Sequence, residues 1–166
     1  MYKVKDIVVY RRDVCRITGK KRSDFTGEQC YILEPYFPTS GSVSIQVPVS
    51  NKAGHLRDLI TKEEIDQLII DTPDLETLES KPANMKSQYA SLLKGNDISE
   101  LVRIIKTSDG RNQERLEQHK KLASIDDEYL QIAEKYLYEE LSVVLDLSIE
   151  DTKEYFEKEV AKLTLE

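Results

Sequence analysis

Apolar positions along this chain repeat with two different periods, and the change from one to the other falls near residue 58. Before it they come in short runs rich in β-branched and aromatic residues: Asp6 to Tyr10, Val14 to Thr18, Gln29 to Glu34 and Val43 to Val49. Runs of this kind, separated by turn material, predict four or five short strands forming a small barrel or sheet. Lys20 to Gly27 is a polar stretch closing on a glycine and Pro38 to Ser42 is a second turn, so both are predicted as hairpin connections. The last run alternates strictly, with Val43, Ile45, Val47 and Val49 on one face and Ser44, Gln46 and Pro48 on the other. Pro48 has no N–H for a ladder, so this strand is predicted to end there or to lie at a sheet edge. An edge strand is a place where another chain can pair.

Beyond residue 58 the period becomes 3.6 and helix caps appear. Thr61-Lys62-Glu63-Glu64 is a capping box ahead of Ile65, Leu68 and Ile69, predicting a helix that ends near Asp71. Thr72-Pro73 and Lys81-Pro82 bracket a connecting loop, because proline disfavours the α conformation of the residue before it. A second helix is predicted from Asn84 to Lys94, stopping at Gly95-Asn96. A third starts at Asp97, with Glu100 completing its box and Ile98, Leu101, Val102 and Ile105 as its face. Ser108-Asp109-Gly110 leaves a kink and continuity equally open there, since glycine alone costs about 1 kcal/mol in a helix interior. Ser124 to Asp127 caps a fourth helix, with Tyr129, Ile132, Ala133, Tyr136, Leu137, Leu141 and Val144 at spacings of three and four. Ser148 to Asp151 caps the last, with Ile149, Phe156, Val160 and Leu163 inward. The fold class is therefore α+β: a β-module over 1–57, then an all-α domain of about five helices over 58–166.

Charge sharpens this division. Residues 1–57 hold 10 Lys/Arg against 5 Asp/Glu, a balance of +5, whereas 58–166 hold 14 against 26, a balance of −12. Opposite signs suggest different partners for each part. Within the acidic part, Arg103, Lys106, Arg111, Arg115, Lys120 and Lys121 face only Asp109, Glu114 and Glu117, a local balance of +3. Such a patch can touch phosphates, although the surrounding charge repels a duplex at long range. No apolar run approaches the ~20 residues of a bilayer-spanning helix, and Met1 to Tyr10 mixes Lys3, Lys5 and Asp6 into its apolar residues, unlike a secretory signal. A soluble, cytoplasmic protein without a membrane partner is expected.

Little in the chain points to catalysis. Cys15 and Cys30 lack CxxC spacing and lie in strand-like runs, so they are expected as buried thiols, a disulfide being conceivable only if their strands are neighbours. His55 and His119 have no Cys or carboxylate at ligand spacing, so no metal site is expected. No phosphate-cradling glycine motif occurs among the six glycines, and no cofactor or small-molecule substrate is expected. Glu139-Glu140 and Glu157/Glu159 fall on polar helix faces, where solvation is the ordinary explanation. The expected role is binding of macromolecules, not enzymatic turnover, and no catalytic residue is assigned.

The order Lys3-Val4-Lys5-Asp6-x-Val8-Val9-Tyr10, Thr26-Gly27-Glu28, Tyr31-x-Leu33 and Val47-Pro48 resembles the RNA-polymerase-interacting domain of the CarD family, a module shared with transcription-repair coupling factors. Leu56 to Glu64, Gln113-Glu114-Arg115, Asp127-x-Tyr129 and Ala133-Glu134-x-x-Leu137-x-x-Glu140-Leu141 are similar to the helical domain of the same proteins, so the resemblance spans nearly the whole chain. It implies a Tudor-like β-module docking on the β subunit of bacterial RNA polymerase, and a helical domain that approaches promoter DNA and affects transcription initiation. The polymerase-binding residues it implies are Arg22 in the first loop and the edge segment Val43, Ser44, Ile45, Gln46, Val47 and Pro48, with Gln46 replacing a cation found in many relatives. In the helical domain relatives place a tryptophan wedge followed by arginines, where this chain reads Asn84-Met85-Lys86-Ser87-Gln88-Tyr89 and has no Trp anywhere. Promoter DNA is thus implied only as a weakened partner, through Met85 as an apolar wedge and Lys86, with Arg111, Arg115, Lys120 and Lys121 from the cationic patch. The alternative function is autonomous DNA binding through that patch. Relatives are also apolar at Ser108-Asp109, although family precedent favours a continuous third helix.

Overall fold

The computed structural model describes residues 1–37, 44–121 and 123–164. Its first hairpin turns on Arg11-Arg12, which joins β1 (Ile7–Tyr10) to β2 (Asp13–Arg22) with left-handed φ values of 48° and 76°. Two-residue loops with both residues at positive φ match the right-handed twist of the flanking strands, and here the turn is made without glycine or asparagine. Three more strands follow, β3 (Gln29–Pro35), β4 (Ile45–Pro48) and β5 (Leu56–Asp58), giving an antiparallel five-stranded sheet in the order β4-β3-β2-β1-β5. The sheet is open among the described residues, with β4 and β5 as its edges. It nevertheless curls: Val47 of β4 and Leu56 of β5, from opposite edges, share one core with Val8, Cys15, Ile17, Tyr31 and Leu33.

Two features of this sheet differ from the sequence expectation. Lys20, Lys21 and Arg22 belong to β2, not to a loop, because they pair with Tyr31, Cys30 and Gln29 of β3. Backbone pairing holds them there without an apolar face, and the connection shrinks to Ser23–Glu28, closed by Ser23 N–H to the Glu28 carbonyl at 2.8 Å. A register shift between Ile17 and Gly19 inserts one extra residue, a β-bulge at Thr18. Strand β5 is short and carries Arg57 and Asp58, so it has no periodic signature; it pairs with β1, Val9 opposite Arg57. The cysteine question is answered by register. Cys15 lies opposite Pro35 and Cys30 opposite Lys21, an offset of roughly 20 Å at strand rise, far beyond disulfide reach. Both are free buried thiols, and burial, with the Asp13 charge, pushes the Cys15 thiol up to about 12.

The chain divides into two compact units, Met1–Leu59 and Ile60–Glu166, so β5 stays with the sheet. The second unit holds α1 (Lys62–Asp71), α2 (Met85–Leu93), α3 (Ile98–Glu117), α4 (Ser124–Leu145) and α5 (Ile149–Thr164), with 3-10 turns at Thr72–Asp74 and Pro82–Asn84. Capping boxes close the starts of α1 at Thr61 and of α3 at Asp97. Helix α4 is central, packing against α1, α2, α3 and α5, and its buried Tyr129, Ala133, Leu137 and Leu141 meet Tyr89, Leu101 and Ile104 in one core. Leu163, predicted inward, is 40% exposed. Among the described residues no helix is long and apolar enough to cross a membrane.

Helix α3 runs unbroken through Ser108-Asp109-Gly110. Ser108 is fully buried, and its hydroxyl donates to the Ile104 carbonyl at 2.7 Å, so the helix itself satisfies the polar group. Gly110 is exposed, and a Cβ built on it would meet nothing within 4 Å. Gly110→Ala is therefore expected to stabilise the protein by about 0.5–1 kcal/mol, read as a raised urea midpoint at unchanged slope.

Candidate functional site

The described polymerase-binding residues that the sequence resemblance implies fall on two strands of the sheet, β2 and β4, with Ser44 just ahead of β4. Arg22 ends β2, exposed, opposite Gln29 of β3. On the far side of Gln29 its carbonyl accepts from Val49 N–H at 2.9 Å. That bond fixes the phase of the ladder beyond it. In an antiparallel pair hydrogen-bonded and non-hydrogen-bonded positions alternate, and β4 pairs as Cys30 with Pro48, Tyr31 with Val47, Ile32 with Gln46 and Leu33 with Ile45. Ile45 and Val47 therefore turn their amides toward β3, whereas Gln46 and Pro48 turn theirs away from the sheet.

The outer rim of β4 is consequently short. Gln46 offers one N–H and one carbonyl, and no described residue pairs with either. Pro48 has no N–H, and its carbonyl accepts from Asn51 N–H at 3.0 Å. Side chains follow the alternation: Val47 is buried at 5% exposure, Ile45 half-buried, and Ser44, Gln46 and Pro48 exposed. Val43 lies outside the described residues, as does the turn expected over Pro38 to Ser42. At the Pro48 end of the strand a cleft of about 320 Å³ opens, walled by Tyr10, Arg11, Val47, Pro48, Lys52 and His55. Sequence gave no signal for Phe25, which is 98% exposed at the tip of the β2–β3 hairpin, three residues beyond Arg22.

The second unit engages four of the six cations of the patch in its own structure. Arg103 Nε donates to the Glu76 carbonyl at 3.0 Å. Lys106 Nζ reaches the carbonyls of Thr72, Pro73 and Leu75 at 2.8, 3.2 and 2.7 Å, closing the chain where α1 ends. Arg111 and Arg115 turn inward onto Asp126, whose side chain is 0% exposed. Arg111 Nε lies 3.1 Å from each Asp126 oxygen and Arg115 Nη1 lies 2.5 Å from Oδ2, while Tyr89 Oη donates to Oδ1 at 2.6 Å. Burial disfavours the charged carboxyl, but the hydrogen bonds from Tyr89, Arg115 and Arg111 outweigh it and hold Asp126 below the usual carboxylate range. The same burial and the same partner raise the Tyr89 phenol.

Four of the six cations thus hold the fold, and of the six only Lys120 and Lys121 stand exposed with no side-chain bond or ion pair among the described residues. The expected wedge fails on similar grounds. Met85 is 1% exposed in the helical core, with Tyr89 one turn on, and could enter a base step only by leaving that core. Lys86 beside it is exposed. Glu140, expected on a solvated face, is also buried, and its carboxylate accepts from Ile60 N–H at 2.8 Å. Sequence reasoning placed Asp126 in a helix cap and Glu140 in solvent because their partners lie on other elements, 11, 15 and 37 residues from Asp126 and 80 from Glu140. Comparison of the chain with models of protein families and with curated proteins returns no match.

Proposed function

We propose that the first unit docks on the β subunit of bacterial RNA polymerase by accepting a strand at the outer rim of β4, and that the chain acts as a CarD-like regulator of initiation through its helical unit. The observation that carries this reading is the unpaired N–H and carbonyl of Gln46 on an edge strand. Strand addition draws affinity from such main-chain groups and specificity from neighbouring side-chain pockets, and the cleft beside Pro48 supplies one. Arg22, with Lys20 and Lys21 on the same strand, adds positive charge that favours an acidic partner surface. On this reading the sheet is a Tudor-like module left open at β4, and the protein works by binding, with no turnover of its own. The helical unit acts on its partner with little help from DNA, since Arg111, Arg115 and the Met85 wedge are engaged in its interior and only Lys86, Lys120 and Lys121 of the expected contacts stay exposed.

Gln46→Pro is the direct test. Proline there removes an N–H that points away from β3, so the internal ladder stays intact. Affinity of the full chain for the isolated polymerase β lobe, measured by titration calorimetry, is expected to fall about tenfold or more, the loss of one main-chain hydrogen bond plus the ring's obstruction. Wild-type chain that does not bind the lobe, or a folded Gln46→Pro protein that binds it equally well, would overturn the proposal.

A further inference from the structure

A cleft of about 180 Å³ lies beside the buried Asp126 cluster, lined by Ser80, Arg111, Glu114, Arg115, Gln118 and Lys120. Its chemistry follows from how Asp126 uses the two arginines. A guanidinium carries five N–H donors in a rigid fork and never loses its charge. Arg111 gives Nε to Asp126 and Nη1 to the Ser80 hydroxyl oxygen. Arg115 gives Nη1 to Asp126 and to Asn112 Oδ1. Arg111 Nη2 and both Nε and Nη2 of Arg115 are left without a partner among the described residues. Ser80 accepts from Arg111, so its own hydrogen is free to donate, and Lys120 and Gln118 bring further donors.

We infer that this cleft binds a single dianionic phosphate group, as free phosphate or as the terminal phosphate of a small monoester. The buried carboxylate locks both arginines before the ligand arrives, so the ordering of two long side chains is not charged against binding. Three cations stand against Asp126 and Glu114, leaving a surplus of one positive charge, and the α3 C-terminus adds some opposition. Binding is correspondingly weak, with a Kd in the region of about 1 mM. A duplex is not the ligand. The neighbouring Arg103 and Lys106 are bonded to backbone carbonyls and offer no row of phosphate contacts, and the chain from residue 58 onward carries −12.

The full chain, with its arginine Nε–H resonances followed by NMR at constant ionic strength, is titrated with inorganic phosphate and separately with glycerol 3-phosphate. Saturating shifts of Arg115 and Arg111 are expected at pH 7.5 with both probes, and weaker binding at pH 5, where the phosphate loses its second charge. The Lys120 side chain is exposed and bonds no described residue, its one hydrogen bond running from the backbone N–H to the Arg115 carbonyl, so Lys120→Glu keeps the fold, and it is expected to weaken binding by about tenfold. If only inorganic phosphate saturates, the cleft is sized for the free ion; if only the monoester does, for the small-molecule phosphate. Shifts that rise without saturation, or that ignore pH and Lys120→Glu alike, mean an adventitious ion only and overturn the proposal. Displacement of phosphate from these resonances by a 20-base-pair duplex overturns it in favour of phosphodiester contact.

Discussion

Asp126→Ala is expected to lower the stability of the protein by about 3–5 kcal/mol, because it strips the partner from two largely buried guanidiniums at once. Arg111 and Arg115 side chains are 11% and 22% exposed, too little for water to replace the carboxylate fully. The Tyr89 hydroxyl is orphaned in the same step. A loss of this size is a large share of the total stability of a small protein, and guanidinium melts followed by circular dichroism would read it. The wild-type protein should show the same dependence on acid. The folded pKa of Asp126 lies below that of the unfolded chain. Its contribution is therefore complete above about pH 4, the ordinary carboxyl value, and is lost as pH falls through the folded value. Asp126→Asn should lack that part of the acid dependence; an unchanged acid limb in the variant would show that the cluster contributes nothing as an ion pair.

Leu137→Ala should follow closely, with a loss of about 2–5 kcal/mol. Leu137 is 0% exposed on the central helix α4, packed into the core that includes Tyr89, Leu101, Ile104 and Leu141. Truncation there leaves a hole that helices on several sides would have to fill together. Leu163 near the end of α5 is the natural control, since it is 40% exposed and its change to alanine should stay within about 0.5 kcal/mol. Urea midpoints of the two variants at a common slope decide the matter; equal losses would mean that the core is not where burial places it.

Local signals in the chain are mostly met where neighbouring residues decide the outcome; the exception is the cap expected over Ser124 to Asp127, since α4 already starts at Ser124 after Ala123 with no side-chain cap, and Asp126 turns into the interior instead. Thr61 and Asp97 close their capping boxes as their spacing predicts, Pro73 and Pro82 open 3-10 turns between α1 and α2, and the alternation of Ile45 to Pro48 produces an edge strand. What stayed hidden depends on distant partners. The tail of β2 reads as a polar loop, because its strand character comes from Gln29 to Tyr31 across the ladder. The cationic patch reads as surface, because nothing near Arg111 or Arg115 in sequence announces that Asp126 will be buried beneath them. In sequence Gly110 leaves a kink and continuity of α3 equally open, and its penalty of about 1 kcal/mol is small beside the burial of Leu101, Val102 and Ile104 along the same helix.

The Pro48 end of β4 also limits what the protein can become at high concentration. With no N–H there and its carbonyl already taken by Asn51, the strand gives an incoming β-segment a landing but no continuing track at that end. Copies of the chain therefore find it hard to stack through this border into a growing fibril, the usual hazard of an uncovered sheet, and the opening proposed for a partner is too brief to polymerise.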